Sequence, residues 1–265
     1  MTLRIRNRII LLLLFTSILF SLVISFLYIY AFIKSAIVPP LSPTRFFTPP
    51  NIFLLRYNFC FSLLGAALFM LYSLFFLFWI FVRFEKTQSP EIFYFCLFLC
   101  STLCEAFRLF VPLFALWQTY SDTLLLIGRI ILFGKFLAPI SLLMSSLFTN
   151  ENQMQDFEKN YTIVITVGIA FTLLVPLNTS QISTTCAIIW GFSKPFFAIR
   201  TLIFITAIIS ALIKRQTKNY ISLSLIIVSY AILASADNLL FFLTGSTLLF
   251  ISTHRFLADT HKLYY

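Results

Sequence analysis

The stretch that decides the fold is Ile9–Ile33, IILLLLFTSILFSLVISFLYIYAFI, an apolar run without a charged side chain. A helix needs about 20 apolar residues to cross roughly 30 Å of hydrocarbon, and this run exceeds that length. Arg4, Arg6 and Arg8 precede it, and a basic start can mark a secretory signal peptide. The run is too long for a signal peptide and no small-residue cleavage site follows it. We therefore interpret it as a retained membrane-spanning helix.

The composition extends this interpretation to the whole chain. Hydrophobic residues make up 60% of the 265 residues and charged residues only 11%, against roughly 25% in a typical soluble domain. So few charges cannot cover the surface of a water-soluble protein, whereas Phe-rich and Leu-rich runs suit a lipid solvent. The expected fold class is all-α, a polytopic helix bundle in the lipid bilayer, with short loops and no sizeable soluble domain.

Hydropathy predicts about eight transmembrane helices within a single domain covering residues 1–265. The predicted spans are 9–33, 57–82, 91–117, 123–148, 161–177, 193–213, 220–236 and 239–252. The last two could instead be one helix, which would be about 51 Å long at 1.5 Å per residue, too long for a bilayer. Asp237 and Asn238 near its middle favour a turn, so we predict a hairpin. If Asp237 were paired inside the bundle, one tilted helix would give seven spans.

Loop charge predicts the orientation. Lysines and arginines precede the first span and follow the second, sixth and eighth, so the positive-inside rule places both termini in the cytoplasm of a bacterial-type membrane. The loop 34–56 contains two Pro-Pro pairs and is expected to be extended. The formal net charge of +10 is then explained by these flanks and by anionic lipid headgroups. No soluble basic segment suggests nucleic acid.

Ionisable side chains inside the predicted spans are the strongest functional signal. Each costs about 2.5–3.5 kcal/mol at the bilayer centre on insertion scales, so an uncompensated one is rarely retained. The candidate ligand-binding residues are Glu105, Arg108, Arg129, Lys135, Arg200 and Asp237.

Four of these side chains suggest a basic pocket. With the N-terminus inside, Arg108, Arg129 and Arg200 fall in the outer half of the membrane, and Lys135 lies deeper. We hypothesise that they bind an anionic small molecule or lipid headgroup, since guanidinium pairs with carboxylate or phosphate through two parallel hydrogen bonds. Two alternatives remain open. Arg129 and Arg200 could reach the outer headgroups as anchors, and Glu105 could merely neutralise Arg108 three residues away.

The cysteines and histidines give weaker signals. Cys96, Cys100 and Cys104 repeat every four residues on the third span and could share a soft metal such as Cu(I), although no histidine or methionine cluster accompanies them. Buried cysteines more often act as small apolar fillers. His254 and His261 lie in the C-terminal tail. We predict no cofactor and no structural metal.

Two classes of function fit these features better than an enzyme does. The first is a sensing or binding module, whose layout resembles the multi-span input modules of bacterial signalling proteins and which would need a separate cytoplasmic output protein. The second is a transporter or channel subunit, to which intramembrane charges also point. For an intramembrane enzyme, Glu105, Asp237 and the two histidines are the available acid–base groups. No phosphate-binding loop or hydrolase motif occurs.

Overall fold

A computed structural model describes residues 3–34, 37, 39, 53–84, 89–118, 122–148, 157–213 and 219–264. The protein is an all-α bundle with one short β-hairpin. The helices are α1 (Leu3–Ile33), α2 (Phe59–Arg83), α3 (Pro90–Ala106), the single turn α4 (Phe110–Leu113), α5 (Asp122–Leu147), α6 (Phe157–Leu174), α7 (Ser193–Ile213), α8 (Asn219–Ala234) and α9 (Leu239–Tyr264). Most of the loop 34–56 and its proline pairs lie outside the described residues.

Six of the described helical segments are long and apolar enough to cross a membrane, which corrects the predicted count of eight. They are 4–33, 59–83, 90–113, 122–147, 193–213 and 239–262. The apolar parts of α6 and α8, Lys159–Leu174 and Ile221–Ala234, are shorter than the others. At 1.5 Å per residue, the 16 residues of α8 extend only about 24 Å, less than the roughly 30 Å of a hydrocarbon core. The exposed large hydrophobic side chains of α1 and α7 are consistent with a lipid environment.

The hairpin predicted at Asp237-Asn238 is confirmed, and the single long helix is not present. The α8 helix ends at Ala234 and α9 begins at Leu239. Asn238 caps α9, because its Oδ1 accepts a hydrogen bond of 2.9 Å from the Phe241 backbone N–H. The α9 helix then continues to Tyr264, well past the predicted end at 252, so His254 and His261 are helical.

Two other boundaries differ from the predictions. The predicted third span, 91–117, changes to a 3-10 turn at Phe107–Leu109 and ends with α4 at Leu113. Ala115 follows with a φ of 46°, which a continuing helix cannot accommodate. The segment after α6 was predicted to be a plain loop, but it forms an antiparallel β-hairpin, β1 (Leu177–Ile182) with β2 (Ile188–Trp190).

The two ends of the bundle are distinguished by their contacts. At the end we call the terminal end, Arg6 of α1 donates to the Phe84 carbonyl, and the Phe84 ring contacts His261 of α9. At the opposite end, which we call the hairpin end, Ser62 Oγ donates to the Thr184 carbonyl of the β-hairpin at 2.9 Å. Both chain termini therefore lie on the same side.

Helices α3 and α5 approach each other closely at Gly134. A Cβ added at Gly134 would lie 2.8 Å from both Cys104 Cβ and the Ser101 carbonyl oxygen. Only glycine allows the two helices to come this close. The close approach also places the next residue of α5, Lys135, near α3. An aromatic core that includes Phe69, Phe98 and Tyr230 packs on the other side of α3.

Candidate functional site

The centre of the site is a buried ion pair on α3. Glu105 and Arg108 are 0% and 2% exposed, and Arg108 Nε lies 3.3 Å from Glu105 Oε2. Tyr230 of α8 donates to Glu105 Oε1 at 3.3 Å. The guanidinium also lies over the Phe69 ring, 5.7 Å from its centroid. The pair is therefore neutralised internally and held by α2 and α8.

Arg108 also satisfies backbone carbonyls where helices end. Its Nε donates to the Glu105 carbonyl at 3.1 Å, just before the 3-10 turn, and its Nη1 donates to the Ala234 carbonyl at 3.0 Å. Ala234 is the last residue of α8, and the last carbonyls of a helix have no partner within it. In the same region, Tyr28 of α1 donates to the Leu109 carbonyl at 2.7 Å. Arg108 thus links the break in α3 to the end of α8.

Lys135 of α5 lies beside this pair. Its side chain is half-buried, and it interacts electrostatically with Glu105, Arg108 and Arg200. Its ammonium lies 4.9 Å from the ring centroid of Trp190, a residue of β2. Among the residues that the structure describes, Lys135 has no hydrogen-bond or ion-pair partner. A lysine placed near the middle of a long apolar helix without a direct ion pair is energetically unusual.

Arg200 of α7 completes the group. It is half-buried, lies 6.0 Å from the Phe197 ring centroid, and interacts electrostatically with Lys135 and Tyr230. It too forms no ion pair within the described part of the chain. One carboxylate, Glu105, therefore faces three cations, which leaves an excess of two positive charges.

The two remaining predicted site residues lie elsewhere. Arg129 donates through Nη1 to the carbonyls of Thr172 and of Val175, so it caps the C-terminal end of α6. Asp237 lies in the turn before α9, where its Oδ1 accepts a hydrogen bond from Asn238 and its carbonyl accepts one from the Asn58 backbone. The structure thus brings Glu105, Arg108, Lys135 and Arg200 together and gives Arg129 and Asp237 other partners.

The β-hairpin covers this group at the hairpin end and was not predicted from the sequence. Trp190 contacts Lys135. Cys186, 2% exposed, interacts electrostatically with Arg108 and lies two residues from Thr184, whose carbonyl accepts from Ser62. Burial raises the pKa of the Cys186 thiol to about 11, although Ser62 and Arg108 act in the opposite direction. The signal available in the sequence was the paired β-branched residues Ile188-Ile189 before Trp190, which favour a strand.

The other features of the described residues give no second charged centre. No group of three or more His, Cys, Asp or Glu side chains lies close enough together to hold a metal ion within the described ranges. An open groove of about 540 Å³ runs along α6 and is lined by Lys159, Thr162, Ile163, Thr166 and Val167. None of the four clustered residues lines this groove.

Comparison with known proteins adds no family to this description. No protein-family model matches the sequence, and a search of curated proteins gives no significant match. The fold and the site define the class on their own: a helix bundle whose described part has six helices of membrane-crossing length and a buried Glu105–Arg108 ion pair.

Proposed function

We propose that the protein is an integral membrane binding module that holds an anionic group between Lys135 and Arg200, beside the Glu105–Arg108 pair. The observation that carries this proposal is Lys135, which forms no ion pair and no hydrogen bond among the described residues and has only a longer-range interaction with Glu105. A cation in a water-poor environment is costly unless it is paired. An anion bound here would supply the missing counter-charge.

The chemistry of the two side chains supports the same conclusion. Lysine offers a compact charge with three donors, and arginine offers a planar fork suited to carboxylate or phosphate. The aromatic rings of Trp190 and Phe197 contact the two cations without neutralising them. Their charge and their donors therefore remain available to a ligand. Arg108, by contrast, is committed to Glu105 and to Ala234.

The protein would bind this anion from the side opposite the chain termini. Among the described residues, Arg6, Arg83, Arg255 and Lys262 lie toward the terminal end, whereas Lys34, Arg56 and Lys194 lie at the hairpin end. By the positive-inside rule, the termini are then cytoplasmic and the β-hairpin is external. A sensing role would pass binding to a separate protein at the terminal end.

The test is a thermal unfolding experiment on detergent-purified protein with inorganic phosphate, sulfate, acetate and phosphatidic acid as probes. At 100 times Kd a ligand stabilises the folded state by about 2.7 kcal/mol. For a chain of this size that raises Tm by roughly 5–10 °C. Lys135→Met should abolish the shift. Lys194→Met removes an exposed lysine of α7 and should leave the shift intact.

The proposal is wrong if none of these anions shifts the wild type and Lys135→Met is as stable as the wild type. In that case the excess charge needs no counter-ion. A shift with phosphatidic acid alone identifies a lipid headgroup as the ligand, and a shift with phosphate identifies a free anion.

Transport of the anion is the second candidate function, and the break in α3 favours it. Membrane transporters often place their binding sites where spanning helices are interrupted. Here the 3-10 turn Phe107–Leu109 includes Arg108 itself. Uptake of the radiolabelled stabilising anion into proteoliposomes distinguishes the two functions: a transporter accumulates the anion, and a sensing module binds it without uptake.

A further inference from the structure

A pair of thiols on α3 forms a second chemical centre, distinct from the charged cluster. Cys96, Cys100 and Cys104 follow one another at intervals of four residues, which places them along one side of the helix. Cys96 is buried at 1% exposed, whereas Cys100 and Cys104 are both partly accessible. Side chains four residues apart are neighbours on a helix surface, and these two thiols interact electrostatically. Cys100 and Cys104 therefore lie side by side on α3.

The contact between α3 and α5 holds this pair in place. Cys104 lies against Gly134, where even a methyl group would come within 2.8 Å of its Cβ. The backbone beneath the two thiols belongs to the regular part of α3, before the 3-10 turn. Two sulfur ligands held on a rigid helix can bind one metal ion or arsenic atom together. Little conformational entropy is then lost on binding, which favours affinity.

The surroundings restrict what such a pair can bind. Zinc needs four ligands in a structural site, and no group of three or more metal-binding side chains lies together in the described residues. A monovalent ion such as Cu(I) held by two thiolates would give a complex of charge −1. A divalent thiophilic ion, or a monosubstituted arsenic(III) centre, gives a neutral one.

We propose that Cys100 and Cys104 form a dithiol site for thiophilic centres that yield a neutral bis-thiolate, namely Hg(II) or a monosubstituted arsenic(III) compound. For an arsenic(III) oxide R–As=O, two As–S bonds form and the As–O bonds break. The two thiol protons leave with that oxygen as water, so no oxidant or reductant is needed. The neutral product suits a location inside the bundle, where an unpaired charge would be costly.

The experiment uses phenylarsine oxide, a neutral and lipophilic probe, with the full-length purified protein. We expect one arsenic per chain by intact mass. Binding should be at least about 10²-fold tighter than to either single-thiol variant, because the second bond is intramolecular. Cys100→Ser and Cys104→Ser should each lose tight binding. Cys60→Ser, at an exposed position on α2, should retain it.

A second measurement tests the site without substitution. Phenylarsine oxide should protect the peptide containing Cys100 and Cys104 from N-ethylmaleimide, while Cys60 remains reactive. Tight binding that survives in Cys100→Ser or Cys104→Ser would overturn the proposal, as would unchanged alkylation of the two cysteines in the presence of the probe. The arsenical test depends on thiol chemistry and the anion test does not, so either proposal can fail without the other.

Discussion

Removal of Arg108 should destabilise the protein mainly by taking away the only direct ion-pair partner of Glu105 among the described residues. Glu105 is 0% exposed, and Arg108 is its ion-pair partner at 3.3 Å. Truncating one member of a buried pair costs about 3–5 kcal/mol, because the other charge stays buried without compensation. We therefore expect Arg108→Met to lower the free energy of unfolding by that amount.

A second substitution should recover part of this loss. In Glu105→Gln/Arg108→Met the buried charge is gone, and the amide can still accept from Tyr230. The remaining cost is the unsatisfied Ala234 carbonyl, which has lost its 3.0 Å bond to Arg108. An unpaired buried acceptor costs about 1–3 kcal/mol. The double variant should thus regain about 2 kcal/mol relative to Arg108→Met, a factor of roughly 30 in the folded-to-unfolded ratio.

Reversible unfolding in mixed detergent micelles, followed by far-UV circular dichroism, measures these differences. Lys194→Met serves as the control for loss of an exposed cation, which should change stability by less than about 0.5 kcal/mol. If the double variant is no more stable than Arg108→Met, charge pairing is not what Arg108 supplies. Its role would then be limited to the carbonyl at the end of α8.

Three further predictions concern the helix packing, the α9 cap and the Cys186 thiol. Gly134→Ala should lower the free energy of unfolding by about 1–3 kcal/mol, because the new Cβ would lie 2.8 Å from Cys104 Cβ and from the Ser101 carbonyl oxygen. Gly65→Ala is the control: its new Cβ has its nearest contact at 3.8 Å, so it should be neutral or stabilising in the same unfolding assay. Asn238→Ala should cost about 1 kcal/mol through loss of the α9 cap, and Asn238→Ser should retain most of the stability. Burial raises the pKa of the Cys186 thiol to about 11, and only the thiolate reacts with an alkylating reagent. The alkylation rate of Cys186 in the wild type should therefore keep increasing with pH up to about 11. A rate that levels off near pH 9 would contradict the buried position.

The sequence predicted the membrane helices and the last turn because these depend on local patterns. Apolar runs follow directly from hydropathy, and Asp237-Asn238 interrupted one of them with residues that favour turns. The count was wrong because hydropathy does not measure where a helix stops. Both α6 and α8 are apolar segments shorter than the others, and their ends depend on contacts made by other helices.

The candidate site was only partly predictable for a similar reason. Spacing alone indicated that Glu105 and Arg108 could pair, and the structure shows that pair. The proximity of Lys135 and Arg200 depends on how α5 and α7 pack, which no local pattern encodes. The contact between Trp190 of the β-hairpin and Lys135 could not be inferred either. It depends on the pairing of β1 with β2 and on the position of that hairpin against α5, which are both set by tertiary packing.

The two arginines that cap helices explain how short helices are tolerated in this bundle. In a water-poor environment every backbone carbonyl needs a partner, and a helix that ends early leaves its last carbonyls unsatisfied. Arg129 donates to the carbonyls that end α6, and Arg108 donates to the carbonyl that ends α8. Positive charge is also favourable at a helix C-terminus. The intramembrane arginines therefore divide into two kinds: Arg108 and Arg129 complete the backbone of neighbouring helices, whereas Arg200, with Lys135, keeps its charge available for a ligand.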